Sequence, residues 1–381
     1  MILQSKDKKS MNDLLLPKNH FGNGNGHKSV SISRAAIIYS YAERGFFPTE
    51  ELYITEKNAR DDAVCIAREL EKMGVQATLI PSNDSIIDEL GKTKPEIVFN
   101  LVDSIKGNEY LSATIPGILD MLDIPFTGAG LLGLAICYNK FLTKKLLQSA
   151  GIPTPNFQLF HTPLDILNVE LRYPLISKLN EIHGAVEINA TAVAENEKQL
   201  RERLTYLIKT YDQPVLVEEF IVGREITAYV LQGNVTKIYL GEKVFNKPDE
   251  KYVFATFNDQ WSEDTPADKA LWPFYYAKYE DSFLKDYVRK AFDITDMLDY
   301  AKFDIRMDAS GRYYFIDSNA NPDFGPKELQ TGMGYIIEDL YGVSFQDILR
   351  RLINNTIGNA QSEEVVEERV NGKAVVNQQQ V

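Results

Sequence analysis

The chain has 381 residues, with 41 Lys+Arg against 54 Asp+Glu, a net charge of −13, and 44% hydrophobic and 25% charged residues. These values match ordinary globular domains and exclude wholly disordered, collagen-like and coiled-coil chains. No run approaches the roughly 18 consecutive apolar residues that a membrane helix needs, and the acidic balance argues against coating nucleic acid, which takes a basic face.

Residues 1–33 read as a disordered tail: charges, Asn and Gly surround one short apolar patch, Leu14–Leu16, and no signal-peptide pattern is present. Gly22, Gly24 and Gly26 follow no strand and precede no GK[ST], so they read as a linker rather than a phosphate loop. Residues 34–126 alternate strand and helix. Ala35–Tyr39 is a buried-type strand, and Ala59, Ala63, Ile66 and Leu70 share one helical face that stops at Gly74. Strands over Gln76–Ile80 and Ile97–Leu101, with helices over Ser85–Leu90 and Thr114–Leu122, complete a parallel α/β domain. Cys65 and Cys137 lie in apolar runs and read as reduced core residues of a cytosolic protein. The four histidines form no zinc-spaced cluster with them.

A second unit is expected over 127–212. It holds the helix Asn139–Ala150, closed by Gly151 with Pro153 and Pro155 beyond, the strand Leu175–Lys178 and the charged helix Glu197–Lys209. A third is expected over 213–358, with strands Val215–Glu219, Ile226–Leu231 and Thr236–Leu240, the helix Asp281–Leu298 and the hairpin Ala301–Ser318. Residues 359–381 read as a second disordered tail.

The hairpin within Tyr300–Pro322 is the most informative segment. Strand alternation puts Ala301, Phe303, Ile305 and Met307 on one face and Lys302, Asp304, Arg306 and Asp308 on the other, with Asp317 and Asn319 beside the latter. Folding about Asp308–Gly311 brings Asp304 opposite Asp317. Like charges across a ladder destabilise it unless a cation lies between them, and an oxygen donor set selects a hard one such as Mg²⁺. The alternative is a solvated polar face. Lys140, which opens a helix, and Lys178, which ends a strand, supply the cations that a nucleoside triphosphate takes, although either can equally be a surface residue. No Walker-type GxxxxGK[ST] occurs.

With the segments IPFTGAG (Ile124–Gly130), NKFLTKKLLQSAGIPTP (Asn139–Pro155), VLVEEFIVGREIT (Val215–Thr227) and KFDIRMD…YYFIDSNANP, the chain resembles the ATP-grasp superfamily and, within it, the D-alanine–D-alanine ligases, from about Ala35 to Asn355. The resemblance implies an ATP-grasp fold, α+β lobes behind an N-terminal parallel α/β domain. It implies a cytoplasmic, ATP-dependent ligase that forms a C–N bond through an acyl phosphate. Lys140 and Lys178 would hold the phosphates. Glu218, Glu219, Phe220 and Ile221 would line the adenine, and Glu225 would accept from the ribose. Asp304, Asp317 and Asn319 would hold two Mg²⁺, for which Mn²⁺ can substitute. Lys302, where the family has arginine, would be the catalytic cation, and Asn180–Asn189 the lid. The implied partners are small amino-acid-like molecules, with neither nucleic acid nor membrane, and a homodimer is an assembly the family allows.

The amino-acid end departs from the family. Asp103-Ser104 stands in place of its His-Gly, Gln260-Trp261 in place of a lysine–tyrosine pair, and Pro322–Lys327 in place of its glycine and serine–leucine grip. Glu56 is the candidate for the first ammonium and Lys327 for the second carboxylate. D-Alanine alone is therefore expected to be a poor substrate pair. Other amino acids, a small peptide, or a non-catalytic ATP-binding pseudoligase remain alternatives.

Overall fold

The computed structural model describes residues 31–262 and 272–358. The expected tails over 1–30 and 359–381 lie outside the described residues. Ser33, placed in the first tail from sequence, is tied down: its backbone N–H and hydroxyl both donate to the Glu96 carboxylate.

In chain order the N-terminal region runs β1 (Arg34–Tyr39), α1 (Glu50–Ile54), α2 (Ala59–Lys72), β2 (Gln76–Pro81), α3 (Ile86–Thr93), β3 (Ile97–Leu101), α4 (Thr114–Met121) and β4 (Phe126–Thr127). The strands form a parallel sheet in the order β2-β1-β3-β4. Parallel strands need helical crossovers that cover the faces, so β1 and β3 read as nearly unbroken apolar runs. Ala63, Ile66, Ala67 and Leu70 of α2 cover one face with Ile37, Ile97 and Phe99. Ile86, Leu90, Ile115 and Leu119 of α3 and α4 cover the other with Ile38, Ile80 and Val98.

Then come α5 (Leu131–Cys137), α6 (Lys140–Ser149), β5 (Phe157–Phe160), β6 (Leu175–Leu179), β7 (Val193–Ala194), α7 (Glu197–Tyr211) and β8 (Val215–Glu219). The antiparallel sheet here is ordered β5-β8-β6-β7. The sequence boundary at 212/213 is thereby corrected, because β8 pairs with both β5 and β6 and belongs to the central sheet. Val215 and Val217 are completely buried against Leu200, Leu204 and Leu207 of α7, which fixes that membership. Conversely, α5 and α6 send Leu134, Ile136 and Leu147 into the core of the following sheet.

That sheet holds β9 (Gly223–Leu231), β10 (Lys237–Phe245), β11 (Phe274–Tyr279), β12 (Tyr300–Asp308) and β13 (Tyr313–Asn319), ordered β11-β10-β9-β12-β13. Helix α8 (Phe257–Trp261) precedes β11, and α9 (Ser282–Ile294) lies between β11 and β12. A π-helical segment (Gly334–Leu340) and a final helix over 345–358, α10, follow. Phe345, Ile348, Leu349 and Leu352 of α10 join the β1/β3/α2 core through Tyr229, Leu231 and Tyr300. The N-terminal domain is thus welded to the last sheet. No described helix is long and apolar enough to cross a membrane.

Candidate active site

The cleft between the central sheet and β9–β13 is bounded by the expected hairpin. β12 and β13 pair antiparallel with Asp304 opposite Asp317 and Lys302 opposite Asn319, and the register slips by a bulge between Asp304 and Ile305. Phe303, Ile305 and Phe315 bury the opposite face completely, so the charged set must look into the cleft. Asp304 accepts from the Thr227 hydroxyl at 2.8 Å and has Lys302 at 3.5 Å and Lys243 at 3.7 Å. Burial pushes the Asp304 carboxyl up, and these two ammonium groups more than offset it. Asp317 is likewise held well below the usual carboxylate range, its burial outweighed by Lys140, His183 and Lys178.

The facing wall is built on α6, β6 and β8. Asn139 caps α6 by accepting from the Leu142 N–H, so Lys140 sits at the first helical position. It is 7% exposed and donates to the Ile182 carbonyl at 2.7 Å. Lys178 donates to the Ile316 carbonyl at 3.1 Å and pairs with Glu218 Oε1 at 2.5 Å, while Lys144 pairs with Glu218 Oε2 at 2.6 Å. Glu218 is 1% exposed and ionised: burial opposes that charge, and the two lysines overcome it. Lys144, the deeper of the pair, is lowered by burial, whereas for Lys178 the attraction of Glu218 and Asp317 outweighs burial and raises it. Neither sequence pattern nor motif flagged Lys144. It reads as one more polar residue of an amphipathic helix.

Glu225 lies between Lys243 at 2.9 Å and Arg306 at 3.2 Å. Arg306 also donates to the Gly223 and Val253 carbonyls and stacks over the Phe220 ring at 4.9 Å. Lys243, buried and raised well above its ordinary value by Glu225 and Asp304 despite its burial, is a second residue missed from sequence. It lies beyond the strand expected over Thr236–Leu240, which the structure extends to Phe245, so no pattern marked it.

Eleven predicted residues line this one cavity of about 910 Å³, counted with its solvent-open part: Lys140, Lys178, Glu218, Glu219, Phe220, Ile221, Glu225, Lys302, Asp304, Asp317 and Asn319. Ile176, Leu179, Val186, Ile188, Phe254 and Ile316 supply an apolar slot beside them. The Glu219 carboxylate is turned to Asn156 and the Arg172 N–H. Glu56 lines an adjoining larger cleft, which meets the first at His183, Gly184, Gln260, Lys302 and Asn319. Lys327 lines neither cleft. It is an exposed residue 3.7 Å from Asp339.

The segment Asn180–Asn189 covers the cavity and is pinned from three sides. The His183 N–H and Nδ1 meet the Glu109 carboxylate, the Glu187 N–H donates to Glu51, and Trp261 Nε1 donates to the Gly184 carbonyl at 2.8 Å. Gly184 has φ +68°, and a Cβ there would come within 2.7 Å of Thr55 Cγ2, so both conformation and space call for glycine.

Comparison with known sequences decides the family. The profile described as the D-ala D-ala ligase C-terminus matches residues 146–354. The D-alanine–D-alanine ligase of Pseudomonas entomophila is 30% identical over 292 residues, covering 76% of this chain and 85% of that protein. The chain belongs to the D-alanine–D-alanine ligase family. An uncharacterized protein of Sinorhizobium fredii is 27% identical over 271 residues, covering 70% of this chain and 76% of its own. The Bacillus anthracis D-alanine–D-alanine ligase, solved with ATP, superposes with a TM-score of 0.64 at 18% identity, over 87% of this chain and 99% of that one. The fold is therefore the ATP-grasp fold of this family, as its sequence segments imply.

Proposed function

We propose that this family member is an ATP- and divalent-metal-dependent ligase that joins the carboxylate of one small amino-acid-like molecule to the amine of another. The observation that supports it most is the pairing of walls across one cavity: Asp304, Asp317 and Asn319 on one side, Lys140 and Lys178 on the other. The donor set fits Mg²⁺, since the oxygens come from two ionised carboxylates and an amide. Manganese, which prefers the same ligands, can substitute. Lys140 and Lys178 are the residues for the phosphates, with Glu218 fixing Lys178 in place through their 2.5 Å pair. The apolar slot and the backbone of Glu219–Ile221 suit the base, and Glu225 suits the ribose hydroxyls.

ATP would supply the phosphoryl group that turns a carboxylate into an acyl phosphate, with ADP leaving; the amine then attacks the acyl carbon, phosphate leaves, and the nitrogen loses a proton as the amide forms. Lys302, at the junction of the two clefts, is the cation for the reacting carboxylate and for the charge that builds as the amine adds. It is a point charge without the fork of arginine. The pinned lid excludes water, which would otherwise hydrolyse the activated acid. The test is phosphate release from ATP and Mg²⁺ with a panel of D- and L-amino acids, singly and in pairs, together with product mass. Release coupled one-to-one to an amide product is expected. ATP binding without release in any combination would leave a nucleotide-binding pseudoligase instead.

A further inference from the structure

The two adjoining clefts differ in charge. The nucleotide-type cavity carries five Lys/Arg and five carboxylates on its described lining. Among the described residues the larger cleft, about 3270 Å³ with its solvent-open part, carries seven carboxylates and, of lysines and arginines, Lys302 alone. Three of the seven have uses elsewhere: Asp259 holds Lys247 and caps α8, Asp323 accepts from Tyr229, and Asp339 faces Lys327. The other four, Glu56, Asp62, Asp103 and Glu109, gather at the end formed by the N-terminal domain. Glu109 has His183. Glu56 meets the hydroxyls of Ser104 and Ser40, and Asp103 meets the Asn321 amide, and none of these donors is a cation.

A second feature lies at the same end. Tyr138 lines this cleft and is 6% exposed; its hydroxyl has no partner with hydrogen-bond geometry among the described residues, because the neighbouring Ser112 hydroxyl is turned to the Glu109 carbonyl. It lies close enough to Asp103, Glu109 and Glu56 for their charges to act on it. A buried hydroxyl without a partner is costly unless a ligand satisfies it. Burial pushes Glu56 up to about 7 and Asp62 up to about 6, and Asp103 is raised by burial and by Glu56 and Glu109. Among the described residues no lysine or arginine is paired with these carboxylates to keep them ionised. The lining of the same cleft also includes Trp272, Phe274, Tyr275 and Tyr276, which suit a methylene chain and, by cation–π contact, an ammonium.

We infer that the acid activated in this cleft is a diamino monocarboxylic acid, with its two ammonium groups taken by Glu56, Asp62, Asp103 and the Tyr138 hydroxyl and its carboxylate turned toward Lys302. This rests on the ligase reading for the identity of the reacting carboxylate, but its recognition chemistry stands apart from turnover. One ammonium would meet one carboxylate. The further acids at positions 62 and 103 have work only if a second ammonium is present.

Calorimetry on the full chain with ADP and Mg²⁺ tests it, using ornithine, lysine and 2,4-diaminobutyrate against norvaline, norleucine and 2-aminobutyrate, each as D and L forms. At least one diamino acid should bind about tenfold or more tighter than its neutral counterpart, the effect of one well-placed charge-assisted contact. Asp103→Asn and the half-buried Asp62→Asn should each shrink that ratio severalfold while leaving affinity for the neutral acid within about twofold. Equal or tighter binding of the neutral acids, or a ratio unmoved by both variants, overturns the inference. A preserved ratio without phosphate release in any pair would overturn the ligase reading and leave this one standing.

Discussion

Asp304 stands opposite Asp317 across the β12–β13 ladder, and the strand bulges immediately after Asp304. The two are not equivalent. Asp304 is held by Lys302, Lys243 and the Thr227 hydroxyl, so removing its charge also takes the ion-pair partner of Lys302 and one of the two carboxylates beside Lys243. Among the described residues Asp317 makes no ion pair at contact distance, and it is kept ionised by more diffuse attraction to Lys140, His183 and Lys178. Asp317→Asn is therefore the cleaner probe. It should lower phosphate release by about 100-fold or more, the scale of losing a positioned electrostatic group, with little change in thermal unfolding of the nucleotide-free protein. Near-normal release at saturating Mg²⁺ would remove Asp317 from the metal set.

The hairpin was legible because its chemistry is local. Strand alternation and one turn fix which residues share a face, and Asp304, Asp317 and Asn319 all fall within one short stretch of chain. The parallel domain was legible for the same reason, from the helical spacing of Ala63, Ile66 and Leu70 after the run Ala35–Tyr39. What eluded sequence reading depends on partners far apart in the chain. Lys144 acquires meaning only when β8 brings Glu218 against it, and Lys243 only when β9 and β12 present Glu225 and Asp304. The boundary near 213 failed similarly. β8 follows α7 in sequence but inserts between β5 and β6, and periodicity carries no information about pairing order.

The Lys144–Glu218–Lys178 cluster buries two cations on one anion. Removing the anion leaves two uncompensated charges, the situation in which a broken buried pair costs about 3–5 kcal/mol. Glu218→Gln should lower stability by that order in urea unfolding. Lys144→Met, placed on top of it, should restore part of the loss, because Lys144 is the cation most penalised by burial. A double-mutant cycle with no coupling between positions 144 and 218 would contradict the ion-pair account.

Trp261 holds the lid through one hydrogen bond from Nε1 to the Gly184 carbonyl, while its ring stacks on Phe257 at 6.3 Å. Trp261→Phe keeps most of the stacking surface and deletes the donor, a loss of about 1 kcal/mol. The lid should open more often and admit water. Phosphate release should then exceed amide formation severalfold in an assay that counts both, while the parent stays near one-to-one. An unchanged ratio would mean that Trp261 does not control water access.

Glu56 allows stability and binding to be set against each other. Its carboxyl is 4% exposed, accepts from Ser104, and lies near Ser40, Glu109 and Asp103. Burial pushes it from 4.5 up to about 7, with Glu109 adding repulsion and the serine hydroxyls opposing. The unfolded chain releases this proton near 4.5 and the folded chain only near 7. Between those values the folded state holds more protons, so this group's contribution to stability falls as pH rises through the window and is flat above it. The full difference is on the order of 3 kcal/mol. Glu56→Gln keeps an acceptor for Ser104 and removes the charge. The variant should unfold at a higher temperature than the parent at pH 8, and the gap should close by about pH 4, where both side chains are neutral. Its affinity for an ammonium-bearing acid should fall in the same buffers, because the site gains stability by losing the charge that recognises the ligand. A variant less stable than the parent at pH 8 would show that Glu56 is satisfied in the folded protein without a bound cation, and the recognition role assigned to it would lose its physical basis.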